Sequence, residues 1–370
     1  MKVGLGTTVL SKGKASGHLD GIALYTKHLL EHLPTVGIEV TSFGFIKKPL
    51  DTNVIALGSF APQTVISTLT GSSFYSSSKV KKKVRLFHAT DHLIPKLSKI
   101  PVIATIMDPI PLAHPDWVTG KYRGLKNVIY KRMGKWADHV ITISEFSAEE
   151  IHEHFLIPRE KISVIPLGVD EQCFNRVSEQ KKSEVLERYN LPSEYFVFIG
   201  TLQPRKNVTR ILDAFLDLPD EIQRKHPLVI IGGIGWNCED LVARLIKLKK
   251  SKLIFWLDYV SFTDKYALLQ SSLALVFPSL YEGFGLPVLE AFASDIPVIT
   301  SNITSLPDVA ADAAILIDPY SVDDISHAMF RIATDKILHK QLCGLGRVRV
   351  KDFSWLKTAE KTAGIYKLML

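Results

Sequence analysis

Short apolar, β-branched runs alternate with segments of helical period along the whole of this chain. That alternation favours one kind of core, in which parallel strands lie buried between layers of helices, an α/β fold. In the first half the expected strands are residues 3–9, 39–45, 84–88, 102–106 and 139–143. In the second half they are residues 195–199, 228–231, 253–256, 273–277, 297–300 and 314–317. Helical periods fall between them, at residues 208–218, 238–249 and 264–271. Several runs end at polar residues, as expected where strand C-termini line a crevice. At 370 residues, 46% of them hydrophobic, the chain exceeds one typical core, and two domains of roughly 150–200 residues are expected. The boundary is placed between Pro166 and Phe174, ahead of a charged segment. The tail carries a helical stripe of Trp355, Ala359, Ala363 and Tyr366, and the Ser- and Lys-rich residues 71–85 read as an exposed loop.

Residues 277–290 read FPSLYEGFGLPVLE. An apolar run leads in and an amphipathic run leads out, so the segment is a strand, a tight turn and a helix. Gly283 and Gly285 would let backbone N–H groups approach a ligand at the positive end of that helix, which favours phosphate. Glu282 and Glu290 stand eight positions apart, and Glu290, one turn inside the helix, is placed to accept hydrogen bonds from sugar hydroxyls. A plain strand–turn–helix corner would account for the glycines and the proline but not for both acids. Upstream, Arg205-Lys206-Asn207 follow a strand that ends at Gly200. Two adjacent cations there can grip a diphosphate, Arg through its fork and Lys as a compact charge, and stabilise it as it leaves. Gly232-Gly233-Ile-Gly235 lacks the spacing of a dinucleotide fingerprint and reads as a tight turn.

The net charge of +7 is unevenly spread: residues 1–170 hold 21 Lys and Arg against 14 Asp and Glu, and the remainder holds 24 of each. A one-sided basic half predicts an anionic partner. KYRGLKNVIYKRMGKW, residues 121–136, sets six cations among apolar and aromatic side chains, and residues 81–85 add a second basic element. Peripheral contact with an anionic membrane is expected from these two. Nucleic acid is excluded as a partner, since no stacking platform or recognised binding motif accompanies the charge. No run reaches the roughly 18 apolar residues of a membrane span, and the first residues read as a strand, not a signal peptide. Cys173, Cys238 and Cys343 are odd in number and far apart, which argues against a disulfide framework or zinc site and fits a reducing cytoplasm.

The 277–290 segment resembles the Glu-x7-Glu signature of the retaining GT-B glycosyltransferases of family 4, the glycosyl transferases group 1, in particular its mannosyltransferases of bacterial surface polysaccharide assembly. Gly200-Thr-Leu-Gln-Pro-Arg205-Lys206-Asn207 resembles the family's basic phosphate loop. Ile143-Ser144-Glu145-Phe146-Ser147 and Ile165-Pro-Leu-Gly-Val-Asp170 are similar to segments ending its first domain, and residues 301–308 and Phe353-Ser-Trp355 to its C-terminal landmarks. The resemblance implies two Rossmann-like domains with a cleft between them: an acceptor domain over residues 1–170 and a donor domain over 171–353. It also implies a terminal helix, 354–370, that crosses back to the first.

It further implies a hexosyl transfer from a nucleotide sugar, GDP-mannose as the leading case, to a lipid-linked or polysaccharide acceptor in lipopolysaccharide or O-antigen-like biosynthesis. This would occur in the cytoplasm or at the inner face of the plasma membrane, with no cofactor and no metal. Glu282 would face the donor sugar, Glu290 the ribose, and the backbone of Gly283, Phe284, Gly285 and Leu286 sugar and phosphate. Arg205 and Lys206 would hold the diphosphate. Asp20-Gly21 resembles the N-terminal glycine loop, with Gly21 toward the donor and Asp20 toward the acceptor. Asp108 keeps the aspartate of a His-Asp pair whose histidine is here Met107 and would be catalytic together with Glu282, Arg205 and Lys206, and His88 matches a family position on the acceptor side. The family's front-face mechanism names no protein nucleophile. A nucleotide-sugar epimerase of similar fold, a catalytically silent subunit and a transferase acting on a soluble acceptor are the alternatives.

Overall fold

The computed structural model describes residues 1–17, 19–47, 51–117 and 123–370, with the side chains of Arg123 and Phe262 left aside. The chain divides into two compact units, Met1–Gly168 with Ser354–Leu370, and Val169–Phe353.

Among the described residues of the first unit seven strands form one parallel sheet: β1 (Lys2–Gly6), β2 (Glu39–Gly44), β3 (Val54–Ala56), β4 (Leu86–Ala89), β5 (Val102–Thr105), β6 (His139–Thr142) and β7 (Ile162–Val164). Their order is β3-β2-β1-β4-β5-β6-β7. The second unit holds six: β8 (Phe196–Ile199), β9 (Leu228–Ile231), β10 (Ile254–Leu257), β11 (Ala274–Phe277), β12 (Val298–Ser301) and β13 (Ile315–Ile317), ordered β10-β9-β8-β11-β12-β13. Both sheets repeat the doubly wound pattern, with the strand order reversing between β1 and β4 and between β8 and β11. Crevices that bind ligands open at the carboxyl ends of strands at such reversals. β4, β5, β9 and β11 are buried on both faces, which is why they appear in sequence as unbroken apolar runs.

Three local expectations change. The first strand ends at Gly6, and the segment turns at Thr7, whose N–H donates to Phe43 O, into a helix over Thr8–Ser16. Residues 71–85 are no simple exposed loop. Ser77–Lys81 is helical, with its own Val80 and the preceding Phe74 buried, and Gln63 Oε1 accepts from the N–H and hydroxyl of Ser76. Two edge strands, β3 and β7, join the sheet where no strand was expected.

The terminal helix, Trp355–Leu368, is capped by Ser354, whose side chain accepts from Lys357 N. It packs against the Gly21–His32 helix, where Trp355 stacks on His28 at 4.4 Å between ring centroids. Gly168 is needed at the foot of this helix, since a Cβ there would stand 2.2 Å from Trp355 N. Among the described residues no helix is long and apolar enough to cross a membrane.

Candidate active site

The strand reversal of the second unit brings two loops together. The loop after β8 makes a single 3-10 turn, Pro204–Lys206, and Asn207 follows in the left-handed conformation (φ 61°). Asn207 then spends its side-chain N–H groups on Pro278 O (2.9 Å) and Pro319 O (2.7 Å), tying the loop to those after β11 and β13. Leu280 N donates to Arg205 O at 2.7 Å. The loop after β11 is held from its other side: Ser301 Oγ donates to Ser279 O, and Ser305 Oγ lies 2.8 Å from both Glu282 O and Phe284 O. Gly285 (φ 119°) starts the Leu286–Ala293 helix, and a Cβ there would meet Leu306 Cδ2 at 2.7 Å. The turn therefore requires glycine for conformation and for space.

This scaffold brings two adjacent cations onto an acid that lies 76 residues beyond the second of them. Lys206 Nζ stands 2.5 Å from Glu282 Oε1, and Arg205 Nη1 stands 3.2 Å from Glu282 Oε2. Arg205 is steered further by Tyr281 O (3.0 Å) and Gln203 Oε1 (3.1 Å), and Lys206 sits 4.8 Å from the centre of the Phe277 ring. Glu282 and Lys206 are each only 8% exposed. Burial alone would push the Glu282 carboxyl up, but Lys206 and Arg205 overcome it and hold the group below the usual carboxylate range. One acid thus serves two cations, and the cluster keeps an excess positive charge beside the start of a helix. Such a site suits a diphosphate.

Glu290, in the same helix, pairs with Lys265 Nζ at 2.6 Å, both side chains 18% exposed. Lys265 belongs to the Phe262–Gln270 helix and carried no signal in sequence. Phe284 is buried edge-on to Phe353, so that segment offers a ligand its backbone and not its ring.

In the first unit the expected residues fare differently. Asp20 caps the Gly21–His32 helix, accepting from Ala23 N at 2.8 Å, and a Cβ on Gly21 would meet nothing within 4 Å. The preceding helix closes at Gly17, and His18 lies outside the described residues. Asp108 accepts from Ile110 N and, with Met107, Thr90, Asp91 and Tyr130, lines a cavity of about 570 Å³ at the carboxyl ends of β4 and β5.

His88 is corrected. It is fully buried in β4, Nδ1 2.7 Å from Tyr366 Oη and Nε2 2.7 Å from Thr105 Oγ1, and burial lowers its pKa to about 3. It is a neutral imidazole with both nitrogens engaged, and none is left to meet an acceptor. Of the basic amphipathic segment, Lys121 and Tyr122 lie outside the described residues. Arg123–Gly134 is helical, with Met133 buried and Leu125 and Val128 exposed.

The model of Glycosyltransferase Family 4 matches residues 19–172, and that of glycosyl transferases group 1 matches residues 180–344. The chain belongs to these family 4, group 1 glycosyltransferases. It is 35% identical over 232 residues to the O-antigen chain mannosyltransferase B of Escherichia coli, a match covering 62% of this chain and 60% of that protein. It is 32% identical over 227 residues to the serotype-specific mannosyltransferase WbdA of Escherichia coli, covering 60% of this chain but 28% of the relative. The matches thus span less than two thirds of these relatives' lengths. The structure of Anabaena HepE in complex with UDP-glucose superposes with a TM-score of 0.75 over the full length of both chains at 14% identity, a likeness of fold. The α/β, GT-B-type architecture expected from sequence is therefore the observed one.

Proposed function

We propose that the protein is a retaining glycosyltransferase that moves a hexose from a nucleoside diphosphate sugar, mannose from GDP-mannose as the leading case, to a lipid-linked or polysaccharide acceptor of surface glycan assembly. The observation that carries this reading is the Arg205–Lys206–Glu282 cluster at the strand reversal of the second unit, beside a helix opened by Gly285. The mannosyl donor is supported by the names of the two Escherichia coli relatives. Arg205 and Lys206 would receive the diphosphate and stabilise it as the glycosidic bond breaks, where negative charge builds on the leaving oxygens. Glu282 orients both cations and is left facing the donor sugar. Glu290 would hold the ribose hydroxyls, exchanging part of its contact with Lys265 for them. Asp108 is assigned to the reaction itself, and Asp20 and the first unit's cavity to the acceptor.

The test is the transfer itself. Purified protein with GDP-mannose and a lipid-linked oligosaccharide should form an α-linked product at an undiminished rate in excess EDTA, because side-chain cations and backbone amides neutralise the diphosphate. Loss of activity in chelator, restored by manganese or magnesium, would contradict the metal-independent part. Absence of transfer from any nucleotide sugar, together with no thermal stabilisation by any nucleoside diphosphate, would remove the reading altogether.

Glu290→Ala should weaken donor binding by about 1–3 kcal/mol, the range for hydrogen bonds to a charged acceptor, with the fold retained. Unchanged affinity by calorimetry would exclude the ribose role.

We also propose peripheral contact with anionic lipid through Lys81–Lys83, Arg85 and the Arg123–Gly134 helix, whose exposed Leu125 and Val128 suit an interface. Each cation near such a surface contributes about 1 kcal/mol, screened within a Debye length. Flotation with anionic vesicles should therefore fall steeply between low and physiological salt. Equal recovery with neutral vesicles, or no effect of replacing Lys126, Lys131, Arg132 and Lys135 by Glu, would refute the membrane contact and leave the transferase reading standing.

A further inference from the structure

We propose that the last turn of the Gly21–His32 helix is a site for a borderline divalent transition-metal ion, Zn2+ being the plainest case, with His28, Glu31 and His32 as its protein ligands. The three residues stand at i, i+3 and i+4 and so share one helix face. One donor atom from each lies within 4.8 Å of the other two. Zinc held tetrahedrally at roughly 2.0–2.2 Å by nitrogen and oxygen needs its ligands closer by up to about 1.4 Å, a rotamer adjustment for the exposed Glu31 and half-buried His32. His28 is already positioned, since its ring is stacked 4.4 Å from Trp355 at an interplanar angle of 12°, and Nδ1 faces Glu31 Oε2 at 3.2 Å. The His32 ring follows at 6.1 Å in near-parallel orientation.

Two further features favour a cation here. The site lies at the negative end of its helix, which closes at Leu33. Glu31 also stands 3.7 Å from the Nζ of the half-buried Lys27, a pair that contributes little. Two imidazoles with one carboxylate suit zinc, nickel, cobalt or copper and not magnesium or calcium. The other such group among the described residues, Glu150, Glu153 and His154, has two carboxylates and a single imidazole, and serves as the internal control.

The site lies about two helical turns from Asp20-Gly21 and shares no residue with the proposed transfer chemistry. A bound ion would fix the His28 ring against Trp355, the first residue of the terminal helix, and so brace the packing of the two helices within the first unit. The inference does not rest on the transferase reading.

The experiment uses the untagged full chain, stripped with chelator and titrated with Zn2+ alone against a chromogenic zinc chelator, and with Co2+ for its visible ligand-field bands. One equivalent of Zn2+ should bind per chain, undisturbed by excess Mg2+, and should raise the melting temperature. His32→Ala, at a position outside the core, should weaken binding roughly tenfold or more and abolish the cobalt bands. His28→Gln should do the same where it folds, and His154→Ala should change nothing. Absence of zinc binding, or binding that His32→Ala leaves unchanged, or binding lost in His154→Ala, would overturn the proposal.

Discussion

Replacing Lys206 by alanine should lower turnover by about 10²–10³-fold at saturating donor, the usual cost of removing one preorganised stabiliser of developing negative charge. Its ammonium sits 2.5 Å from Glu282 Oε1, over the Phe277 ring, and only 8% of the residue is exposed. The side chain therefore spends almost no freedom on adopting its working position, and it acts where water screens it little. Arg205, its neighbour, cannot move into its place. Its Nε and Nη1 are tethered to Gln203 Oε1, Tyr281 O and the other oxygen of Glu282, which fixes where the guanidinium meets a diphosphate. Lys206→Arg should also be slow, because a planar fork does not fit a pocket shaped around a compact charge. Steady-state kinetics decide the matter. A folded Lys206→Ala protein whose kcat is unchanged and whose KM alone rises would show that the lysine binds donor and transition state alike.

Glu282→Gln should destabilise the fold by about 3 kcal/mol, the lower end of the range for leaving buried charges without their counter-ion, because Arg205 keeps part of its solvent and two neutral partners. The acid dependence carries the sign. The folded carboxyl titrates below its ordinary value of 4.5, so the folded chain gives up this proton more readily than the unfolded one. The stabilisation is therefore fully present above the unfolded value and is lost as pH falls through the lower folded value. Urea denaturation should show the gap between wild type and Glu282→Gln open at pH 7 and narrowing through the acid range. Pyrophosphate should restore more of the variant's melting temperature than of the wild type's, since the added anion takes the place of the missing carboxylate. A gap independent of pH, or pyrophosphate that stabilises both alike, would mean that Glu282 contributes through packing and not through charge.

Both variants concern contacts that the sequence hides. The strands were legible because parallel strands buried on both faces are bare apolar runs, and the six of the second unit stand within a residue or two of their expected places. β3 and β7 were not, because three-residue edge strands with half-exposed side chains leave no periodic trace. The helix at Ser77–Lys81 was masked by its own serines and lysines; Phe74, Val80 and the Gln63–Ser76 contacts that fold it are tertiary. At the site, the residue types and the glycine turn could be read locally. That Glu282 would clamp both Arg205 and Lys206 could not, since the pairing depends on which strands are neighbours. Lys265 escaped notice for the same reason: it reaches Glu290 only through the packing of one helix on another. His88 matches a family position on the acceptor side, and its burial is hidden from the sequence because its partner, Tyr366, arrives from 278 residues away.

That last contact has a consequence for how the chain is made. Tyr366, His88, Thr105 and Tyr25 form one buried hydrogen-bonded chain, Tyr366 to His88 to Thr105 to Tyr25, at the heart of the first unit. During synthesis the residues up to Gly168 emerge with that chain lacking its final member, and Trp355 has not yet arrived to cover His28 and Tyr25. At the usual pace of translation the missing helix follows roughly 10–40 s later. Val169–Phe353 is by then wholly synthesised and needs nothing downstream for its own sheet. Of the two units, the one that emerges earlier is thus completed later, and its unsealed helix face must be kept from other chains for the whole of that interval.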